Sequence, residues 1–174
     1  MMEWIFLKLL EPLCKRQLHY LATFAKREGQ LPLYAFRELT HVVPYAAFEL
    51  LIIRQTPSGK EILLTRREPN DPAWPHLWHF PGTIARITDT IERITTRWEQ
   101  ELGVSPLPAQ PRYLAMQFDD DHPCGRTLHL FHVMEVSLLF EPVEGMFHPL
   151  NDLPSDMIGF QVSQLSTLRA KKTL

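Results

Sequence analysis

HFPGTIARITDTIERITTRWEQELGV, residues 79–104, decides the fold. An apolar strand end runs into a Pro-Gly turn and a loop. Ile91, Ile94, Trp98 and Leu102 then recur at the spacing that lines up one face of a helix. Asp89 is expected to cap that helix, with Glu92 three residues on completing a capping box. Gly103 is expected to end it in the left-handed conformation that few other residues accept.

Upstream, AFELLIIRQ and EILLTRRE flank TPSGK, which predicts a β-hairpin. PNDPAWPHLWHFP, rich in proline and aromatic residues, predicts an irregular surface loop that leads into a short strand. Downstream, PRYLAMQF and RTLHLFHVMEV predict two strands joined by the acidic turn DDDHPCG. The segment MFHPLNDLPSDMIGFQVSQLSTLRAKK reads as a short strand, a Leu-Pro turn and a helix capped by Ser155. Near the start, Trp4, Leu7 and Leu10, then Cys14, Leu18, Leu21 and Ala25, predict two helical pieces separated at Pro12 and stopped at Gly29. Residues 30–44 form a linker with no clear element. Strands on both sides of one central helix, with another helix at the end, predict an α/β sandwich with a mixed sheet.

At 174 residues the chain fills one core and not two, so residues 1–40 are assigned to a helical extension and residues 41–174 to the domain proper. A net charge of -2 gives no pull toward nucleic acid or anionic lipid. Cys14 and Cys124 match no metal-ligand or redox spacing, which predicts free thiols in a reducing cytoplasm. MMEWIFLKLLEP is expected neither to act as a signal peptide nor to span a bilayer. Glu3 stands where a leader carries a base, and Lys8 and Glu11 interrupt the apolar run.

The spacing from Gly82 to Gly103, with Trp98 inside the helix and Val104 after it, resembles the Nudix box, whose acids hold divalent metal against a diphosphate. LWHFPG is similar to the strand that enters that box, and FHPLNDLP to the family's late strand and Leu-Pro turn. The resemblance covers residues 44–168 and implies a Nudix-like α/β/α sandwich with a mixed β-sheet behind an N-terminal helical extension. It also implies Glu at 88, Arg at 96, and Glu at 97, 100 and 101, where this chain has Thr88, Thr96, Arg97, Gln100 and Glu101. Positions 97, 100 and 101 share a helix face, so that face carries three negative charges in the family pattern and no net charge here. Two unit charges about 4 Å apart interact by roughly 4 kcal/mol at an effective dielectric near 20, so the change is not small. Glu101 is left as the catalytic and metal-binding candidate, and Mg²⁺ or Mn²⁺ is expected to bind weakly. Thr88 and Thr96 remove both members of an implied ion pair, which avoids an orphaned charge.

Arg97 has two roles open to it. It pairs with Glu101 one turn later, or it joins Arg93 in placing positive charge where the family places metal and binds phosphate through its fork of donors. Arg66 and Arg67 end the hairpin strand and point opposite ways, so at most one faces the cleft, and Arg66 is the substrate-binding candidate. Trp78, like Trp74, is a candidate to stack on a base. Asp119, Asp120 and Asp121 are either a solvated hairpin tip or replacement metal ligands. His129 and His132, three apart on a strand, face opposite ways and are poor partners for one ion. His76 and His79 are general-base candidates beside the Gly turn.

The foremost expectation is a Nudix-fold protein that binds a nucleoside diphosphate-type or other phosphate ligand, with metal-dependent hydrolysis lost or much reduced. One alternative is a hydrolase that cleaves a nucleoside diphosphate linked to another moiety, with Mg²⁺ or Mn²⁺ held by Glu101 and acids outside the box. The other is a structural or interaction protein that forms a homodimer through residues 1–28. The expected partner is a small phosphorylated ligand, with no specific nucleic acid and no membrane.

Overall fold

The computed structural model describes residues 2–71, 73–120, 122–123 and 125–171, and the side chains from residue 11 onward. Cys124 and Asp121 therefore lie outside the described residues, as do the side chains of Trp4, Leu7 and Leu10.

The hairpin forms where the sequence places it. Strand β1 (Tyr45–Thr56) turns through Pro57 and Ser58 into β2 (Gly59–Arg66), with Thr56 opposite Gly59. The acidic-turn pair becomes β5 (Arg112–Asp119) and β6 (Thr127–Val136), also antiparallel. What sequence alone did not give is the joint between the pairs: β1 runs parallel to β6 over ten positions, from Tyr45 opposite Thr127 to Arg54 opposite Val136. The sheet is thus mixed, in the order β3-β2-β1-β6-β5, with β3 at Trp78–His79. Two short strands fill remaining edges: β4 (Gly82–Ile84) pairs with the start of β1, and β7 (Met146–Pro149) pairs with β2.

Central strands buried on both faces read as continuous apolar runs, and LLII of β1 is one. Leu51 and Ile53 pack with Phe80, Phe131 and Val133 against Leu165 and Leu168 of the helix Gly159–Ala170, here α4. Leu50 and Ile52 turn the other way, with Leu63 and Met134, onto Ile94, Trp98 and Leu102 of the helix Ile91–Leu102, here α3. Two helical layers on one mixed sheet make the α/β/α sandwich. Gly103 closes α3 at φ 64, as its position predicts. Ile91 is exposed, so the buried stripe is one residue shorter than its spacing suggests.

Four local expectations are corrected. Helix α1 (Met2–Glu28) runs through Pro12 instead of breaking there, and residues 11–20 are all exposed. Residues 30–44 hold a helix, α2 (Leu33–Thr40), which seats Ala35 and Thr40 in the core. Ser155 does not cap α4, whose N-cap is Ile158. Asp89 does not cap α3, whose N-cap is Thr90 with no side-chain cap bond, because the Asp89 carboxylate is engaged elsewhere. No described helix is long and apolar enough to cross a membrane.

Candidate functional site

The loop between β4 and α3 is fastened by Arg97. Its Nη1 donates to Asp89 Oδ1 at 2.9 Å, its Nη2 donates to Asp89 Oδ2, and its Nε donates to Thr83 Oγ1 at 2.7 Å. Both charges are withdrawn from solvent, with side chains 17% exposed for Arg97 and 7% for Asp89. The guanidinium holds the Asp89 carboxyl below its usual range, and the backbone N–H of Arg86 helps. Arg97 therefore meets neither expectation: it does not pair with Glu101, and it is not among the residues lining the cleft. Arg93 is also spent on the loop, donating to the Thr88 carbonyl at 2.8 Å.

Glu101 lies under the Pro-Gly turn. Its Oε1 accepts from Thr65 Oγ1 at 2.7 Å and its Oε2 from Gly82 N at 3.0 Å. Burial pushes its carboxyl up to about 7, against the pull of those two bonds and of Arg67, while the neighbouring Glu49 adds to the rise. Thr65 gives its hydroxyl proton to Glu101, so its oxygen accepts from His79 Nε2 at 3.1 Å. Burial and the nearby Arg67 push His79 down to about 3, which leaves the ring neutral. His76 is on the surface in the left-handed region at φ 63.

Above this layer opens a cleft of ≈ 680 Å³, within the usual range of small-molecule sites. Strand β1 supplies Ala47 and Glu49, and the loop after β2 supplies Arg67, Asp71 and Trp74. His122, His129 and Phe160 form an aromatic side, and Leu31, Leu33 and Phe36, from the segment before β1, close another. Asp71 shapes its own loop: Oδ1 accepts from Ala73 N at 2.9 Å and Trp74 N at 2.8 Å. Burial pushes its carboxyl up, but those bonds and Arg67 hold it lower than usual.

The structure corrects two candidates by a short step along the chain. Arg66 turns away and binds Asp156 at 2.6 Å over the ring of Trp78, whereas Arg67 turns into the cleft. Trp78 packs edge-on against His148, whereas Trp74 stands in the cleft with Phe160 5.4 Å away between ring centroids. His129 and His132 do face opposite ways, His129 into the cleft and His132 onto Trp98.

Sequence reasoning missed Glu49, which is 6% exposed and bonds His129 Nδ1 at 3.0 Å through Oε1. The available signal was a single acid inside the apolar run AFELLIIRQ, since a buried carboxylate needs a reason to be there. Gly82 makes room for it: a Cβ at that position would lie 2.4 Å from Glu49 Oε2. Asp119 Oδ2 lies 4.0 Å from His129 Nε2, and Asp120 is tied to Arg126 at 2.7 Å.

A divalent cation fits this donor set poorly. Mg²⁺ and Mn²⁺ require several oxygen ligands, and carboxylates supply the charge. Both oxygens of Glu101 accept protein hydrogen bonds, Gln100 is exposed, and Arg97 contributes positive charge to the same helix face. Among the described residues no group of three or more His, Cys, Asp or Glu is placed to hold a metal ion.

No protein-family model matches the chain, and no curated protein matches it either. Solved structures do. The NUDIX domain of Shewanella oneidensis NrtR, crystallised with ADP ribose, is 15% identical at a TM-score of 0.55, over 74% of this chain and 89% of that one. An Ap4A hydrolase from C. elegans is 14% identical at 0.57, over 74% and 97%. A MutT NUDIX hydrolase from Burkholderia pseudomallei is 19% identical at 0.57, over 71% and 97%. The chain has the Nudix fold. At such identities the likeness is one of architecture, and the chemistry rests on the side chains described above.

Proposed function

We propose that this protein binds a small phosphorylated ligand of the nucleoside diphosphate class in the ≈ 680 Å³ cleft, with metal-dependent hydrolysis lost or much reduced. The observation that carries this is the use of Arg97: the helix position where the family pattern has an acid holds a guanidinium committed to Asp89 and Thr83. Such a helix face is a loop fastening and not a metal cradle. Arg67 is the cleft cation assigned to a phosphate, and Arg86 lines the cleft as well. The link of Arg67 to Asp71 is long at 3.6 Å. The ADP ribose seen in the NrtR domain is a suitable first probe.

The test is calorimetric titration of ADP ribose in EDTA. Binding is expected without added metal, and Arg67→Ala should weaken it by about 10- to 100-fold, the range for a hydrogen bond to a charged group. Arg97→Ala should act mainly on stability. Binding that requires Mg²⁺, or turnover of ADP ribose with Mg²⁺ or Mn²⁺, would support the alternative hydrolase, for which Glu49 beside Gly82 is the acid outside the box. Residues 1–40 are proposed as an appended unit. Its exposed Leu13, Leu18 and Tyr20 favour a homodimer through residues 1–28, which sedimentation of the intact chain and a Leu13→Glu, Leu18→Glu variant tests.

A further inference from the structure

Glu49 is a polar group of the cleft that phosphate chemistry does not use. Glu49 sits mid-strand on β1 and its carboxylate is held on one oxygen by His129, itself 1% exposed. Its other oxygen, Oε2, lies beside Gly82 and takes no hydrogen bond from a described residue. Glu49 lines the cleft, and a carboxylate oxygen open to it with no protein donor can take one from a ligand. A phosphate cannot supply one, since it is an acceptor of the same sign. The donor has to come from a different part of the ligand.

The surroundings indicate which part. His129 lies 5.3 Å from Phe160 between ring centroids, and Phe160 lies 5.4 Å from Trp74, so Glu49 stands at the end of a run of aromatic faces. Flat rings pack against such faces, and a ring with N–H groups on its edge reaches a carboxylate in the plane of stacking. Nucleobases differ on this point. Guanine, adenine and cytosine carry an exocyclic amino group, whereas uracil presents one N–H between two carbonyl oxygens that would face the carboxylate.

We infer that Glu49 reads the amino-bearing edge of a nucleobase, making the cleft selective for guanine, adenine or cytosine ligands over uracil ligands. This rests on the reading of the cleft as a nucleotide site, with Arg67 toward phosphate and Glu49 toward base. His129 acts as the positioning residue, fixing the carboxylate so that Oε2 faces the ligand.

The experiment titrates GDP, ADP, CDP and UDP, and the four phosphate-free nucleosides, into wild type and Glu49→Gln with EDTA present. A site built around a buried acceptor is expected to hold the amino-bearing bases at least about ten-fold more tightly than uracil. Glu49→Gln, near-isosteric and able to donate, should level that preference. Arg67→Ala should weaken all four diphosphates alike and leave the nucleosides unchanged. Equal binding of UDP and the other three to wild type overturns the inference, as does a uniform loss with Glu49→Gln. If amino-bearing nucleosides bind selectively while diphosphates bind no better, the assignment of Glu49 stands and the phosphate role of Arg67 falls.

Discussion

Removing the Arg97 guanidinium tests the reasoning most directly. In Arg97→Ala the Asp89 carboxylate, 7% exposed, loses both its strongest donors, and Thr83 loses a third contact. Breaking a buried pair from one side costs about 3–5 kcal/mol. Arg97 is only partly withdrawn from water, so the low end, about 3 kcal/mol, is expected. Urea unfolding at neutral pH measures this, and Arg97→Ala, Asp89→Asn together should lose less than the sum, with coupling of about 1–3 kcal/mol. The sign with pH follows from Asp89: its carboxyl is depressed from an ordinary 3.8, so the pair's stabilisation is present above that value and fades as pH falls through the lower folded value. Arg97→Glu, which writes the family's acid back, should be worse than Arg97→Ala because two carboxylates then face each other. An Arg97→Ala loss under about 1 kcal/mol, additive with Asp89→Asn, would refute the fastening role and return Arg97 to the pool of ligand-binding groups.

Carboxyl NMR of Glu101 should titrate near 7, far above its ordinary 4.5, because the folded protein favours the protonated form. That contribution to stability is full below pH 4.5 and is lost as pH rises to about 7. His79 works in the opposite sense: held neutral down to about 3, it contributes above its ordinary 6.5 and loses that contribution as pH falls. The His79→Gln variant should therefore be less acid-sensitive than wild type in the same unfolding assay. Gly82→Ala should destabilise by about 1–3 kcal/mol through the clash with Glu49, and Glu49→Ala in the same chain should recover most of that loss.

The fold was legible because its signals are local and redundant. The hairpin around TPSGK, the α3 stripe and the Gly103 stop each follow from spacing, and they agree with one another. The parallel pairing of β1 with β6 was not, since it joins segments that no local period connects. At the site, alternation says that Arg66 and Arg67 part ways without saying which one turns inward; the register of β2 against β3 and β7 decides that. Asp89 looked like a cap because a capping side chain and an ion-pair partner have the same sequence signature. Its actual partner lies eight residues on, which only the folded loop reveals. Pro12 marked a break on sequence rules, yet an exposed helix tolerates it.

The walls of the cleft come from distant parts of the chain. Leu31 and Phe36 precede the first strand, Trp74 lies in the middle, and Phe160 opens the last helix. Bringing together walls so far apart in sequence costs loop-closure entropy. No fragment of the chain contains the cleft, and a molecule that fits it binds the assembled state alone. Such a molecule would raise the stability of the whole chain in proportion to the logarithm of its concentration, so thermal shift across a nucleotide panel reads ligand choice and cooperative folding in one curve.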